Sequence, residues 1–122
     1  MKKVEAVIRP ERLQQVQDAL DAIGVSGLTV TEVLGCGAQR GYTETYRGTP
    51  VKISLQRKVK VEAVMTAERV EGAVEAIISA ARTGDVGDGK IFILPVEDAI
   101  RIRSGERGDE IVGHRDPQHW GH

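Results

Sequence analysis

The stretch Lys2-Lys3-Val4-Glu5-Ala6-Val7-Ile8-Arg9-Pro10-Glu11 decides the fold of this chain. Val4, Ala6 and Ile8 alternate with Lys3, Glu5 and Val7, the period of a strand with one buried face. Pro10 then stands where a first helical residue is favoured, and Glu11 in the first turn complements the helix dipole. Leu13, Val16, Leu20 and Ile23 follow at helical spacing, and Gly24 supplies a left-handed end. A strand therefore leads directly into an amphipathic helix.

Working outward, Leu28–Leu34 has strand composition. The stretch Gly35-Cys36-Gly37-Ala38-Gln39-Arg40-Gly41 and the polar run Tyr42–Gln56 then read as one long loop. Loops beyond about 12–15 residues in a compact domain are usually functional. Alternation resumes at Val59, Val61, Ala63 and Met65. Thr66 is placed to cap a second helix carrying Val70, Val74, Ile77, Ile78 and Ala81, which Gly84 ends. A glycine-rich turn, Gly84–Lys90, leads into a strand at Ile91–Leu94, and a last strand is expected at Ile100–Arg103. The order βαβ, long loop, βαβ is the split βαβ of a ferredoxin-like α+β fold. Helices would cover one sheet face, and self-association is the simplest cover for the other.

Composition agrees with one globular domain. Of 122 residues, 40% are hydrophobic and 29% charged, while aromatics reach only 3%, so the core is aliphatic. The formal net charge of −1 gives no general attraction to nucleic acid or anionic lipid. The single cysteine, Cys36, excludes an internal disulfide and fits a reducing compartment. With no long apolar run, neither a signal peptide nor membrane insertion is expected, and the protein reads as cytoplasmic.

The spacing Gly84-x-x-x-x-Gly89-Lys90 copies that of a Walker-A loop, but Ile91 follows instead of Ser or Thr, and the order is helix to strand. It is not a P-loop. Gly87 and Gly89 would still let backbone N–H groups approach phosphate oxygens, with Lys90 supplying charge. The same residues would equally make a tight turn with a solvated lysine. On an extended Ile100–Arg103, Arg101 and Arg103 would project from one side and converge with Lys90 on an anion. Asp85, Asp88 and Glu106 are the acidic groups near these cations. No His- or Ser-centred constellation accompanies them, so binding is expected rather than catalysis.

Several segments carry a resemblance. Gly41-Tyr42-Thr43-Glu44 with Tyr46-Arg47-Gly48, Ala81-Arg82-Thr83-Gly84 with Gly87-Asp88-Gly89-Lys90-Ile91-Phe92, and Arg101-Ile102-Arg103-Ser104-Gly105-Glu106 resemble the signature segments of PII signalling proteins, as does the opening Met1–Pro10. The resemblance runs without gaps over residues 1–106. It implies a ferredoxin-like homotrimer with ATP or ADP in the clefts between subunits, acting by signalling and without enzymatic turnover. Nucleotide contacts would fall at Gly27, Leu28, Thr29, Gly37, Ala38, Gln39, Glu62, Val64, Gly87, Asp88, Gly89, Lys90, Arg101 and Arg103. A magnesium ion on ATP would meet Gln39. The effector 2-oxoglutarate would be held by Arg9, Gln39, Arg40, Gly41, Lys58 and Gly87. Residues 37–56 would form the mobile loop through which an ammonium channel, an enzyme or a transcription regulator is contacted, with Arg47 and Thr49 as contact points.

Departures from the pattern refine this expectation. Ala38 replaces a family arginine that reaches the terminal phosphates, which weakens ATP more than ADP. Val51 replaces a tyrosine that some relatives carry for uridylylation. Pro50 follows Thr49, and Glu11 replaces a phenylalanine used in docking a kinase. These changes keep open a second expectation, a sensor of adenylate charge or inorganic carbon without a response to 2-oxoglutarate. Residues 107–122, with His114, His119, His122 and Trp120, read as a loosely ordered tail outside the resemblance.

Overall fold

A computed structural model of the chain describes residues 1–25, 27–37 and 54–112. Strand β1 (Lys2–Ile8) passes through a 3₁₀ turn at Pro10–Arg12 into helix α1 (Leu13–Ala22). Strands β2 (Thr29–Gly37) and β3 (Ser54–Met65) follow, then a 3₁₀ turn at Ala67–Arg69 and helix α2 (Val70–Ala81). Strand β4 (Gly89–Pro95) completes a sheet ordered β2-β3-β1-β4, antiparallel throughout. This is the ferredoxin-like α+β arrangement that the alternation and helical spacing predict.

Burial follows the periods. Val4, Ala6 and Ile8 of β1 and Val59, Val61, Ala63 and Met65 of β3 are buried under Val16 and Leu20 of α1 and Val70, Ala73, Ile77 and Ala81 of α2. No polar side chain is buried among the described residues. Gly24, at φ 87°, ends α1 as expected. Its N–H donates to Asp21 O and that of Val25 to Leu20 O, a Schellman closure that brings Val25 into the core beside Leu20. At the other helix the expectation needs correcting. Helix α2 stops at Ala81, Arg82 is already extended, and Gly84 belongs to the turn beyond.

Two further boundaries differ from the sequence reading. Strand β2 continues past Leu34 to Gly37, and β3 begins at Ser54 instead of near Val59. The rungs Val33↔Lys58 to Gly37↔Ser54 thus form a two-stranded ribbon extending beyond Ile8↔Val59, the last rung with β1. Cross-strand pairing satisfies backbone groups that the glycine-rich composition suggested would be left in a loop. The expected strand at Ile100–Arg103 does not form. Only Ile100 pairs, in an isolated bridge with Arg107, because Gly105 (φ 74°) turns the chain back. Arg107–Val112 is folded against this hairpin: Gly108 N donates to Ala99 O, Arg107 pairs with Asp98, and Asp109–Val112 makes a 3₁₀ turn. His114, His119, Trp120 and His122 lie outside the described residues.

The face of the sheet opposite the helices is uncovered. Lys3, Glu5, Lys60 and Glu62 form a four-charge lattice at its centre, with Lys3 Nζ 3.0 Å from Glu62 and 3.7 Å from Glu5. Phe92 and Leu94 share that face by register and remain exposed. The β1–β4 register depends on one glycine. Gly89 sits opposite Ile8 with φ 108°, and a Cβ there would lie 1.7 Å from Val7 O. We predict that Gly89→Ala destabilises the chain by at least about 3 kcal/mol in denaturant unfolding, since the clash is with backbone and the conformation is left-handed. A loss under about 1 kcal/mol would show that β4 does not need this approach.

Candidate functional site

The turn between α2 and β4 is built around one carboxylate. Asp88 Oδ2 accepts from Thr83 N at 2.8 Å and Gly84 N at 2.9 Å. Asp88 Oδ1 accepts from the Thr83 hydroxyl and from Arg9 Nε, the latter at 3.1 Å. The Thr83 hydroxyl in turn accepts from Asp85 N. The hydrogen bonds from Thr83 lead in holding the Asp88 carboxyl far below the usual aspartate range, assisted by Gly84 and Arg9.

Two cations from other elements reach the same turn. Arg9, at the junction of β1 and α1, also donates from Nη2 to Val86 O at 2.8 Å. Lys58, on the first rung of the ribbon, donates from Nζ to Gly87 O. Gly87 (φ 100°) permits this crowding, for a Cβ would come 3.2 Å from Arg9 Nη2 and 3.6 Å from Lys58 Nζ. Each cation keeps donors beyond those bonds, Lys58 two and Arg9 its remaining guanidinium hydrogens. The arrangement fits an anionic group lying against the turn. Lys90 shares the open face with Val7 by register, and a groove of about 350 Å³ lies beneath the turn on the helix side, lined by Ile8, Ile77, Ala81, Arg82 and Ile91.

The other expected contact residues are distributed as follows. Arg9, Lys58, Gly87, Asp88, Gly89 and Lys90 lie together at one end of the sheet, where β1 ends, with Gly37 farther along the ribbon. Thr29 pairs with Glu62 on the Glu5 rung, two rungs from Lys3↔Val64, and Gly27 and Leu28 precede Thr29, so this group extends from mid-sheet toward the opposite end. Glu62 is engaged by Lys3, whose hydrogen bond lowers its pKa while that of Lys3 rises. Arg101 and Arg103 do not converge with Lys90 through a strand. Strand β4 runs from Gly89 beside Ile8 to Pro95 beside Lys2, Val96 N donates to Met1 O, and the arginines follow in the turn beyond. Arg101 there pairs with Glu106 at 2.9 Å, and Arg103 is exposed. Hydrogen bonding from Ser104, then Arg101, lowers the Glu106 pKa. Ala38, Gln39, Arg40, Gly41, Arg47, Thr49 and Val51 lie outside the described residues.

Sequence reading missed the Thr83–Asp88 closure and the part of Arg9 in it. Arg9 and Asp88 stand 79 positions apart, and nothing local announces their pairing. Among the described residues no group of His, Cys, Asp and Glu side chains is arranged to hold a metal. No described helix is long and apolar enough to cross a membrane.

A ferredoxin-like α+β domain with an uncovered sheet face and a turn gripped by Arg9 and Lys58 is the class of structure the described residues define. The comparisons make this specific. The family model described as "Nitrogen regulatory protein P-II" matches residues 1–106. Proteins of that description from Cereibacter sphaeroides and Azospirillum brasilense are 57% and 51% identical over 92% of this chain and all of their own length. "Nitrogen regulatory protein P-II 2" of Methanothermobacter thermautotrophicus is 52% identical over 92% of this chain and 97% of its own. The chain belongs to the P-II family.

The turn chemistry gives a direct test. Because folding lowers the Asp88 pKa, its contribution to stability is present above the ordinary aspartate range and is lost only as pH falls through the lowered value. In a carboxyl ¹³C titration by NMR, Asp88 is expected to show no inflection through about pH 3.9, the ordinary aspartate midpoint. A midpoint there would show that Thr83, Gly84 and Arg9 do not hold the carboxylate in solution.

Proposed function

We propose that this chain is a cytoplasmic signalling protein that binds ATP or ADP in clefts between three copies and carries out no turnover chemistry. The phosphate end would lie against Gly87, Gly89 and Lys90, with adenine toward Gly27, Leu28, Thr29, Glu62 and Val64. Magnesium on ATP, met by Gln39, would allow 2-oxoglutarate to bind Arg9, Arg40, Gly41 and Lys58. Binding would bias the segment between β2 and β3, with Arg47 and Thr49, toward or away from a target such as an ammonium channel, an enzyme or a transcription regulator.

The observation that carries this reading is the division of one ligand's expected contacts between two ends of a single chain. Strand β4 spans seven residues, about 20 Å at a strand's rise, between the Gly87–Lys90 turn and the segment leading to Arg101 and Arg103. A second copy, packed through the uncovered face and the free edges of β2 and β4, would supply the missing half. Exposed Phe92, Leu94 and Ile102 give such packing its apolar content. Family membership supports the same reading.

Titration of ATP and ADP into the full-length protein, with and without magnesium and 2-oxoglutarate, tests this. Cooperative binding of ATP and 2-oxoglutarate, each raising the other's affinity by one factor, is expected, with sedimentation reporting three copies. Nucleotide binding without a 2-oxoglutarate response would instead select the sensor of adenylate charge or inorganic carbon, which Ala38 favours by removing a cation near the terminal phosphates. No nucleotide binding at all would overturn both.

A further inference from the structure

The resemblance places Asp88 among the nucleotide contacts, but its carboxylate is already fully engaged within the chain. An ionised carboxylate offers about four acceptor positions. Thr83 N, Gly84 N, the Thr83 hydroxyl and Arg9 Nε supply a donor for each. A phosphate would be repelled by this group, and a magnesium ion would have to displace one of those donors. Without this carboxylate, the turn would be held only by the bonds of Arg9 to Val86 O, Lys58 to Gly87 O and Asp85 N to the Thr83 hydroxyl. Gly84 and Gly87 adopt left-handed conformations that leave the backbone free to wander once the carboxylate is removed. Arg9 would keep only its bond to Val86 O, and the Gly87 carbonyl that engages Lys58 sits one residue from Asp88.

We propose that Asp88 is a positioning residue that locks the Thr83–Asp88 turn and the Arg9 side chain into one unit, and does not itself touch nucleotide or metal. This deepens the nucleotide-binding reading and rests on it for the ligand. The lock has two consequences. It fixes the backbone from Thr83 to Asp88, next to Lys90, before any ligand arrives. It also ties Arg9, from the β1–α1 junction, to the same turn that Lys58 grips from the ribbon, so displacement of any one of the three shifts the other two. Asp88 thereby sets the geometry in which two cations meet an anion while remaining outside the contact itself.

The test uses the full-length protein with Asp88→Asn, Asp88→Glu, Arg9→Ala and the Arg9→Ala/Asp88→Asn pair. In ligand-free protein, hydrogen exchange at the Thr83 and Gly84 amides and at Arg9 Nε–H is expected to accelerate about tenfold or more in Asp88→Asn, as loss of a charged acceptor implies. The unfolding midpoint should move by only about 2 °C, because the turn is exposed. ATP affinity should fall about tenfold, and Arg9→Ala should cost less in the Asp88→Asn background than alone. Asp88→Glu, charged but one methylene longer, should recover part of the exchange protection. Unchanged exchange at the three sites, or additive effects in the double variant, would overturn the proposal. Wild-type protein that binds no ATP would overturn the nucleotide reading instead, while the exchange arm still decides the lock. Should Asp88→Asn not fold, Thr83→Val, which removes only the hydroxyl donor, puts the same exchange comparison to a smaller perturbation.

Discussion

Strand β1 is hydrogen-bonded along both edges, to β3 on one side and β4 on the other, and everything else in the fold is placed relative to it. Its apolar alternation turns Val4, Ala6 and Ile8 to the helices, and a slip by one residue would put Lys3 and Glu5 into the core instead. The price of that central position is close contact at its end, where Val7 O leaves no room for a side chain on Gly89. The glycine that looks in sequence like a phosphate-binding residue is therefore first a condition for pairing β4 to β1. The two roles are compatible, since a backbone that must lack a Cβ on one side is also open to close approach.

The ends of β1 also explain the division of the candidate site. Each antiparallel neighbour brings one group of expected residues to the Ile8 end and another toward the Lys2 end. Arg9 leaves β1 at the first of these and meets the turn beyond α2, where Asp88, Thr83 and Lys58 complete a small polar assembly. At the other end Val96 joins Met1, and the chain passes into the Arg101–Glu106 turn. The lattice of Lys3, Glu5, Lys60 and Glu62 occupies the face between them. Its charges are spread over two adjacent strands with both signs alternating, so the face can be covered without leaving a large charge of one sign.

Much of this was legible in the residues. Strand β1 and the start of α1 follow from period and Pro10, the left-handed end of α1 from Gly24, and the helix-to-strand direction of the glycine turn from the periodicity on either side of it. Family membership follows from motifs that keep their spacing through Glu106. Apart from the end of α2, the misreadings have one physical origin: they concern segments whose state depends on a partner distant in sequence. Gly35–Gly37 has loop composition but is strand because Ser54–Gln56 pairs with it. Ile100–Arg103 has strand composition but lacks a neighbouring strand among the described residues, and Gly105 folds it into a turn. The Arg9–Asp88 pair likewise exists only once β4 is zipped to β1.

Strand β3 is twelve residues of unbroken backbone, part in the four-stranded sheet and part in the projecting ribbon. Val59, Val61, Ala63 and Met65 root it in the core, while Leu55 stands in solvent beyond the last rung of β1. In geometry such a strand is a beam held at one end: a small rotation near the fixed point would displace the tip by more than the root. Lys58 sits next to that fixed point, with its amine attached to the turn through Gly87 O. A change of an ångström at this attachment would therefore be magnified along the ribbon toward the Gly37↔Ser54 rung.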